Sequence, residues 1–373
     1  MVGPSGVKSL IKLGYKSRAT HGRPPSIILL GPPGVGKTVS VQEAARELAK
    51  EMGLEFWDVG NGVESIDLDK VFLFMQFSIL HADPVDFMGV PREANGSTKY
   101  LLPDILEVFT RKDAKGIVFI DEFTLDSRPD RRSALLKLVD EGMLGYRTLS
   151  SGVMVVLAGN TKEWSNLADE IDEPLRRGRA KIVFVRSPSI TEWIQYMVEA
   201  YGDGWDTRIA GYLSLYKDEL FIKRGSDDDG YTPLNSPRNW TRLSLELKNS
   251  PDLDDEVLGA LIGAYVCKSS AVKLMTYLKT YIPPLEDVKM DVWSGLKPEA
   301  KFLLVSQAPS RLKDGKDGFD RYAEFLRCLA EDPEYLSLLA CLLDKQTLRN
   351  LLLYVRRVIP KAFEVLKKVV TEL

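Results

Sequence analysis

The sequence predicts an α/β domain, a parallel sheet flanked by helices, followed by an all-α domain and a helical C-terminal extension. Two patterns carry this. From Ser26 to about Val185, continuous apolar runs rich in Val and Ile alternate with amphipathic stretches, as expected of strands covered on both faces and joined by helical crossovers. After Ser187-Pro188 the apolar spacing becomes helical and no convincing strand follows. The 373 residues, 45% apolar and 28% charged, suffice for two domains with a sizeable core and perhaps a third small one.

In order, the clear strands are 27–30, 117–120, 153–157 and 182–185. One or two more fall between Leu54 and Leu80, where 56–59 and 71–77 compete. Helical spacing covers 39–50, 190–201, 209–216, 240–247, 255–281, 301–307, 322–330 and 347–373. Boundaries near 188 and at Pro283-Pro284 divide the chain into 1–188, 189–283 and 284–373, and no internal repeat shows.

Composition excludes several classes. The longest apolar stretch, 71–82, is interrupted by Gln76 and Ser78 and is too short for a membrane span. Residues 1–15 lack the apolar core of a secretory signal. Cys267, Cys328 and Cys341 are dispersed in apolar helical contexts, which points to buried thiols in a reducing compartment, the cytoplasm. His21 and His81 add too little for a zinc site. In the polar loop 223–239, Asp227-Asp228-Asp229-Gly230 lacks the later bidentate Glu of a calcium loop and reads as a solvated turn.

The formal net charge is -3, from Lys+Arg 50 and Asp+Glu 53. Residues 1–42 nevertheless hold Lys8, Lys12, Lys16, Arg18, Arg23 and Lys37 and no acid. A plain surface helix explains most of this arm; contact with nucleic acid or phosphate is the other reading.

Gly31-Pro32-Pro33-Gly34-Val35-Gly36-Lys37-Thr38 follows the run 27–30 and opens the helix 39–50. This is G-x4-G-K-[ST] in the strand–loop–helix setting that gives it meaning. Its glycines let successive N–H groups, up to Val39, turn towards phosphate oxygens at a helix N-terminus. Lys37 would reach the β- and γ-phosphates, and the Thr38 hydroxyl would ligate Mg²⁺.

The strand 117–120 ends in Asp121-Glu122. A strand beside the phosphate loop would place Asp121 at the Mg²⁺ hydration shell, with Glu122 as the base for an attacking water. The strand 153–157 leads to Asn160, whose amide can both donate to γ-phosphate and accept from water. Taken alone, each also serves as a helix cap or turn; their order after the loop favours catalysis.

Between Asn160 and the strand 182–185 lies Asp172-Glu173-Pro174-Leu175-Arg176-Arg177-Gly178-Arg179. Its strand is expected to lie away from the phosphate loop, so that Arg177 or Arg179, with Arg176 as substitute, would serve a neighbouring subunit's nucleotide. A surface cluster balanced by Asp169, Glu170, Asp172 and Glu173 is the plainer alternative. Arg238 in Ser236-Pro237-Arg238-Asn239-Trp240 falls in a helix's first turn, where the dipole favours anions, and a nucleotide phosphate would supply one.

These segments together resemble an AAA+ ATPase of the MoxR-like, dynein-related branch over residues 1 to about 250, and more loosely to about Pro284. In that family they are the Walker A loop (31–38), Walker B strand (117–122), sensor 1 (158–160), arginine finger (173–179) and sensor 2 (236–240). The stretch 84–91 is similar to the branch's segment ahead of Walker B. The resemblance implies an AAA+ nucleotide-binding domain with a basic N-terminal helix over 1–188, a lid over 189–283, and ATP and Mg²⁺ as ligands. It further implies a homo-oligomeric ring, usually hexameric, with ATP between subunits and moving pore loops. Its partners would be a protein client or a von Willebrand factor A-type protein.

Two loops suit a pore. Residues 90–100 carry the hairpin signal Asn95-Gly96, and 143–151 form a second short protrusion. Phe87, Met88 and Tyr100 are either gripping side chains or packing beneath the hairpin. The leading reading is a remodelling ATPase. A nucleic-acid motor or loader using the basic arm and the tail lysines and arginines is the alternative, and a ring member that barely turns over is disfavoured by Glu122. Asn160-Thr161-Lys162-Glu163 breaks the guanine-reading Asn-Lys-x-Asp spacing of a GTPase, and a small nucleoside kinase has no need of the exported arginines.

Overall fold

The computed structural model describes every residue except 19–21, 65, 224–229, 251, 314–315 and 373. The Asp227-Asp228-Asp229 turn and His21 lie outside the described residues. The chain forms two compact units, Met1–Ser187 and Pro188–Leu373.

The first unit is built on β1 (Ile27–Leu30), β2 (Glu55–Asp58), β3 (Val71–Ser78), β6 (Lys115–Asp121), β9 (Gly152–Gly159) and β10 (Lys181–Phe184). Two hairpins lie outside the sheet: β4 (Val90–Ala94) with β5 (Ser97–Leu101), and β7 (Met143–Leu144) with β8 (Arg147–Thr148). The six-stranded sheet has the order β10-β1-β9-β6-β3-β2 with every pair parallel. Both competing segments between Leu54 and Leu80 are strands. β3 is buried over Val71–Met75 and pairs with β6 from Leu73 to Ser78, whereas β2 is an edge strand with Glu55 exposed.

Two expectations about strand position are corrected. The strand ending in Asp121 is not next to β1, because β9 lies between them. The strand after the arginines does not lie away from β1 but pairs with it, Ile27 opposite Lys181 and Leu30 opposite Phe184. What separates the arginines from the phosphate loop is strand direction. They enter β10 at its N-terminal end, while the loop leaves β1 at its C-terminal end, four residues or about 13 Å further along.

The basic N-terminal segment forms the helix Pro4–Lys16, which buries one face, Val7, Ile11, Gly14 and Tyr15, in the first unit. The Tyr15 hydroxyl donates to the Gly152 carbonyl at 2.7 Å, and burial pushes its pKa up to about 12. On the other face, Lys8 pairs with Glu43 and Glu47, Lys12 with Glu47 and Glu51, and Lys16 with Glu51. The acids all stand on the helix Lys37–Glu51.

The second unit is helical, with Trp193, Trp205, Trp240 and Trp293 buried in one cluster that extends to Leu366. The stretch expected as one helix over 255–281 is two, Asp255–Gly263 and Lys268–Leu278. Val266 turns into the core, and the Cys267 N–H donates to Asn235 Oδ1 at 2.9 Å instead of continuing the ladder. The stretch 347–373 likewise breaks at Ile359-Pro360, where the proline has no N–H to give and starts a new helix. Cys328 is buried and Cys267 and Cys341 partly so. Among the described residues no helix is long and apolar enough to cross a membrane.

Candidate nucleotide site

The loop between β1 and the helix Lys37–Glu51 owes its curl to Gly34 (φ 75) and Gly36 (φ 94), a backbone region that favours glycine. Gly31 has a different constraint: a Cβ there would run into the Val185 carbonyl oxygen across the β1–β10 boundary. Pro32 and Val35 are buried, Pro33 is exposed, and Val39 is half-buried in the first turn. The N-cap Gly36 offers no side chain to the first-turn N–H groups, and a helix end of this kind attracts an anion.

Lys37 is buried, and its Nζ donates to the carbonyls of Gly31 and Pro32 at 2.8 Å each and to Asn160 Oδ1 at 3.0 Å. Thr38 Oγ1 donates to Asp121 Oδ2 at 2.7 Å across the width of β9. A hydroxyl and a carboxylate so close form an all-oxygen pair suited to a hard cation such as Mg²⁺.

Glu122 follows Asp121 with φ 60, one of two non-glycine residues in the left-handed region among the described residues. That conformation costs about 1–2 kcal/mol and marks a position under constraint. Ser78 Oγ, at the end of the neighbouring β3, donates to Glu122 Oε2 at 2.6 Å. The Asn160 N–H donates to Thr124 Oγ1 at 2.9 Å, so the turn after Glu122 and the end of β9 are joined through a buried threonine. Gly159 leaves the room Thr124 needs, since a Cβ there would lie 2.6 Å from its side chain.

Lys37, Thr38, Asp121, Glu122 and Asn160 therefore gather at the C-terminal edge of the sheet, beside Gly31–Val39. The arginines do not join them. Arg177 is 77% exposed and holds Glu173 through Nε at 2.8 Å, in a tight turn over Leu175–Arg179. Arg179 pairs with Asp140 at 3.0 Å. Arg238 stands exposed in the first turn of Pro237–Asn249, in the second unit, with no hydrogen bond or ion pair among the described residues.

Sequence reasoning missed Ser78 and Thr124. Ser78 lies in the stretch whose strand register was open, so its position opposite Asp121 had no signal. The hairpin signal is matched by β4 and β5, with Asn95 (φ 54) and Gly96 (φ 74) between them. Phe87 is buried against Phe77, ring centroids 5.6 Å apart, and is thereby removed from any gripping role. Met88 and Tyr100 remain exposed, and the Tyr100 ring meets Tyr146 of the second hairpin at a tilt, centroids 4.7 Å apart.

A glycine loop between buried strand and helix, a lysine within it, and an acidic strand end facing it define a P-loop nucleoside triphosphatase. Residues 27–187 match the ATPase family associated with various cellular activities (AAA), a match that supports ATP hydrolysis as the activity of this domain. No curated protein matches the chain. Among solved structures, similarity extends to the RuvB Holliday junction branch migration motor of Thermotoga maritima (14% identity, 74% of this chain and 70% of that chain, TM-score 0.38). It extends also to the HORMA:CdnC:Trip13 complex of E. coli MS115-1 (13%, 76% and 90%, TM-score 0.37). A third is the Aeropyrum pernix ORC1 protein in complex with DNA (14%, 87% and 78%, TM-score 0.37). Likeness this loose carries no argument about function.

Proposed function

We propose that the chain is a MoxR-like AAA+ ring ATPase, working as a homo-oligomer, usually a hexamer, in the cytoplasm, and that it remodels or assembles partner proteins. The observation that carries the catalytic part is the convergence of Lys37, Thr38, Asp121, Glu122 and Asn160 at one sheet edge. The loop amides of Gly31–Val39 and the Lys37 ammonium bind the β- and γ-phosphates. Thr38 and Asp121 would hold Mg²⁺, which neutralises phosphate charge. Glu122 takes the proton of a water that attacks the γ-phosphorus as ADP leaves, and Asn160 orients that water. Arg177 is favoured as the residue that reaches a neighbour's γ-phosphate, because its exposure contrasts with Arg179, held by Asp140 in its own subunit. Arg238 meets a nucleotide phosphate from the lid, within the three-part division 1–188, 189–283 and 284–373.

Two observations support a protein client. The N-terminal lysines are engaged by Glu43, Glu47 and Glu51, which leaves that arm poorly suited to nucleic acid. The β4–β5 hairpin exposes Val90, Tyr100 and Leu101, an apolar surface suited to a polypeptide or a von Willebrand factor A-type partner. One observation favours the alternative, a nucleic-acid-associated motor: the helix Lys345–Val358 exposes Lys345, Arg349, Arg356 and Arg357 and contains no acid. ATPase assays with single- and double-stranded DNA over a range of salt separate the two. Stimulation that falls steeply with salt supports the motor. Indifference to DNA with stimulation by a protein partner supports the remodeller.

A further inference from the structure

The arginine-bearing segment is mounted on the turn that carries Glu122, and one guanidinium makes the join. Arg132, on the helix Pro129–Asp140, donates through Nε to the Asp126 carbonyl at 3.0 Å. One terminal nitrogen donates to Asp169 Oδ2 at 2.7 Å, and the other lies 3.7 Å from Asp172 Oδ1. The Asp169 N–H in turn donates to the Thr124 carbonyl at 2.7 Å. Leu175 is buried beside Phe123 and Leu135, lining one small cavity with Arg132 and Asp172. At the far end of the same helix Asp140 takes Arg179.

Segment 169–179 is thus pinned at its start, its middle and its end to elements that also fix the backbone after Glu122. A planar fork meets two acceptors in fixed directions while its third nitrogen pairs with the Asp172 carboxylate; a lysine ammonium on a flexible stem does not reproduce it. The Arg132 side chain is 28% exposed, so this contact is less screened than a surface pair.

We propose that Arg132 is a positioning residue that couples the Glu122 turn to the arginine segment, so that the arginine a subunit offers its neighbour is set by that subunit's own nucleotide site. The proposal rests on the reading of Arg177 or Arg179 as acting on a neighbour's nucleotide. A purely structural Arg132 would affect stability and nucleotide affinity; a coupling Arg132 affects turnover through the finger.

The test is steady-state Mg-ATPase of the full chain over a range of ATP, with thermal melting alongside. Arg132→Ala is expected to lower kcat about tenfold with KM within twofold, and Arg132→Lys to recover little of the loss. Combined with whichever of Arg177→Ala and Arg179→Ala lowers kcat, Arg132→Ala is expected to add no further loss. Wild-type kcat in Arg132→Ala, or a double variant showing the product of the two losses, overturns the coupling while leaving the finger intact. Full kcat in both Arg177→Ala and Arg179→Ala overturns the finger reading and the coupling with it. Should Arg132→Ala fail to fold, Asp169→Ala removes the acceptor of Arg132 while keeping the backbone N–H bond to Thr124, and carries the same expectations.

Discussion

Ser78 holds Glu122. Its hydroxyl donates to Oε2 of the carboxylate at 2.6 Å from the end of β3, while Glu122 keeps a left-handed backbone conformation at the end of β6. The carboxylate that would take a proton from water is therefore oriented by a strand that carries no other part of the nucleotide loop. Glu122→Gln is expected to retain ATP while losing at least ~100-fold in turnover, the usual scale for removing a general base. Ser78→Ala is expected to change kcat about two- to tenfold with KM unchanged, since the hydroxyl touches the carboxylate rather than the loop. Turnover by Glu122→Gln at the wild-type rate would remove Glu122 from the role of base.

The arginines and the phosphate loop occupy opposite ends of adjacent strands, which leads to a complementation experiment. Alone, Lys37→Ala subunits are expected to be inactive and Arg177→Ala subunits to retain only a small, measurable fraction of wild-type turnover. Mixed in rings, a fraction of interfaces pairs an intact loop with an intact arginine, and activity should return. Mixed rings shown to assemble yet without activity at any ratio would contradict arginines acting between subunits.

The ladder of lysines and glutamates between Pro4–Lys16 and Lys37–Glu51 makes a pH prediction. Hydrogen bonds from Lys12 and Lys16 hold the Glu51 carboxyl down from 4.5 to about 2. A carboxyl lowered in the folded state favours folding fully above its unfolded value and loses that contribution as pH falls from about 4.5 through 2. The pairs are exposed, so the effect is modest and screened by salt. Melting of Glu51→Gln against wild type should show a gap at pH 6 that shrinks steadily as pH falls towards 2 and narrows in 1 M salt. A gap that widens on acidification would contradict the assignment.

Gly31 lies just past the end of β1, against the Val185 carbonyl just past the end of β10; the constraint there is space. Gly31→Ala forces the Val185 carbonyl aside, and overpacking of this kind costs roughly 1–3 kcal/mol. Chemical denaturation should show that loss, with nucleotide affinity falling too because the same shift moves the start of the loop. Unchanged stability would mean that the two strands separate freely.

Much of the first unit was legible because a buried parallel strand is a continuous apolar run, as in Ile27–Leu30 and Gly152–Gly159. The phosphate loop was legible because Gly34, Gly36 and Lys37 satisfy local requirements of backbone and charge. Sheet order was not: nothing in the apolar pattern of β9 tells that it lies between β1 and β6. Ser78, Thr124 and Arg132 were illegible for the same reason, since each owes its place to a partner far away in sequence. The partners of the lysines on Pro4–Lys16 were not legible, because their acids stand about 35 residues further on, at the same helical spacing. Pro360 could have been read, as a proline within an apolar helical pattern ends or kinks the helix before it.

The central claim is that a triphosphate is bound by the turn around Lys37. Isothermal titration calorimetry of the full chain with ATP and magnesium measures this directly. The account predicts saturable binding to wild type and to Glu122→Gln, and none to Lys37→Ala, with circular dichroism showing the variant folded. Undiminished binding to folded Lys37→Ala, or no binding to wild type, would contradict it.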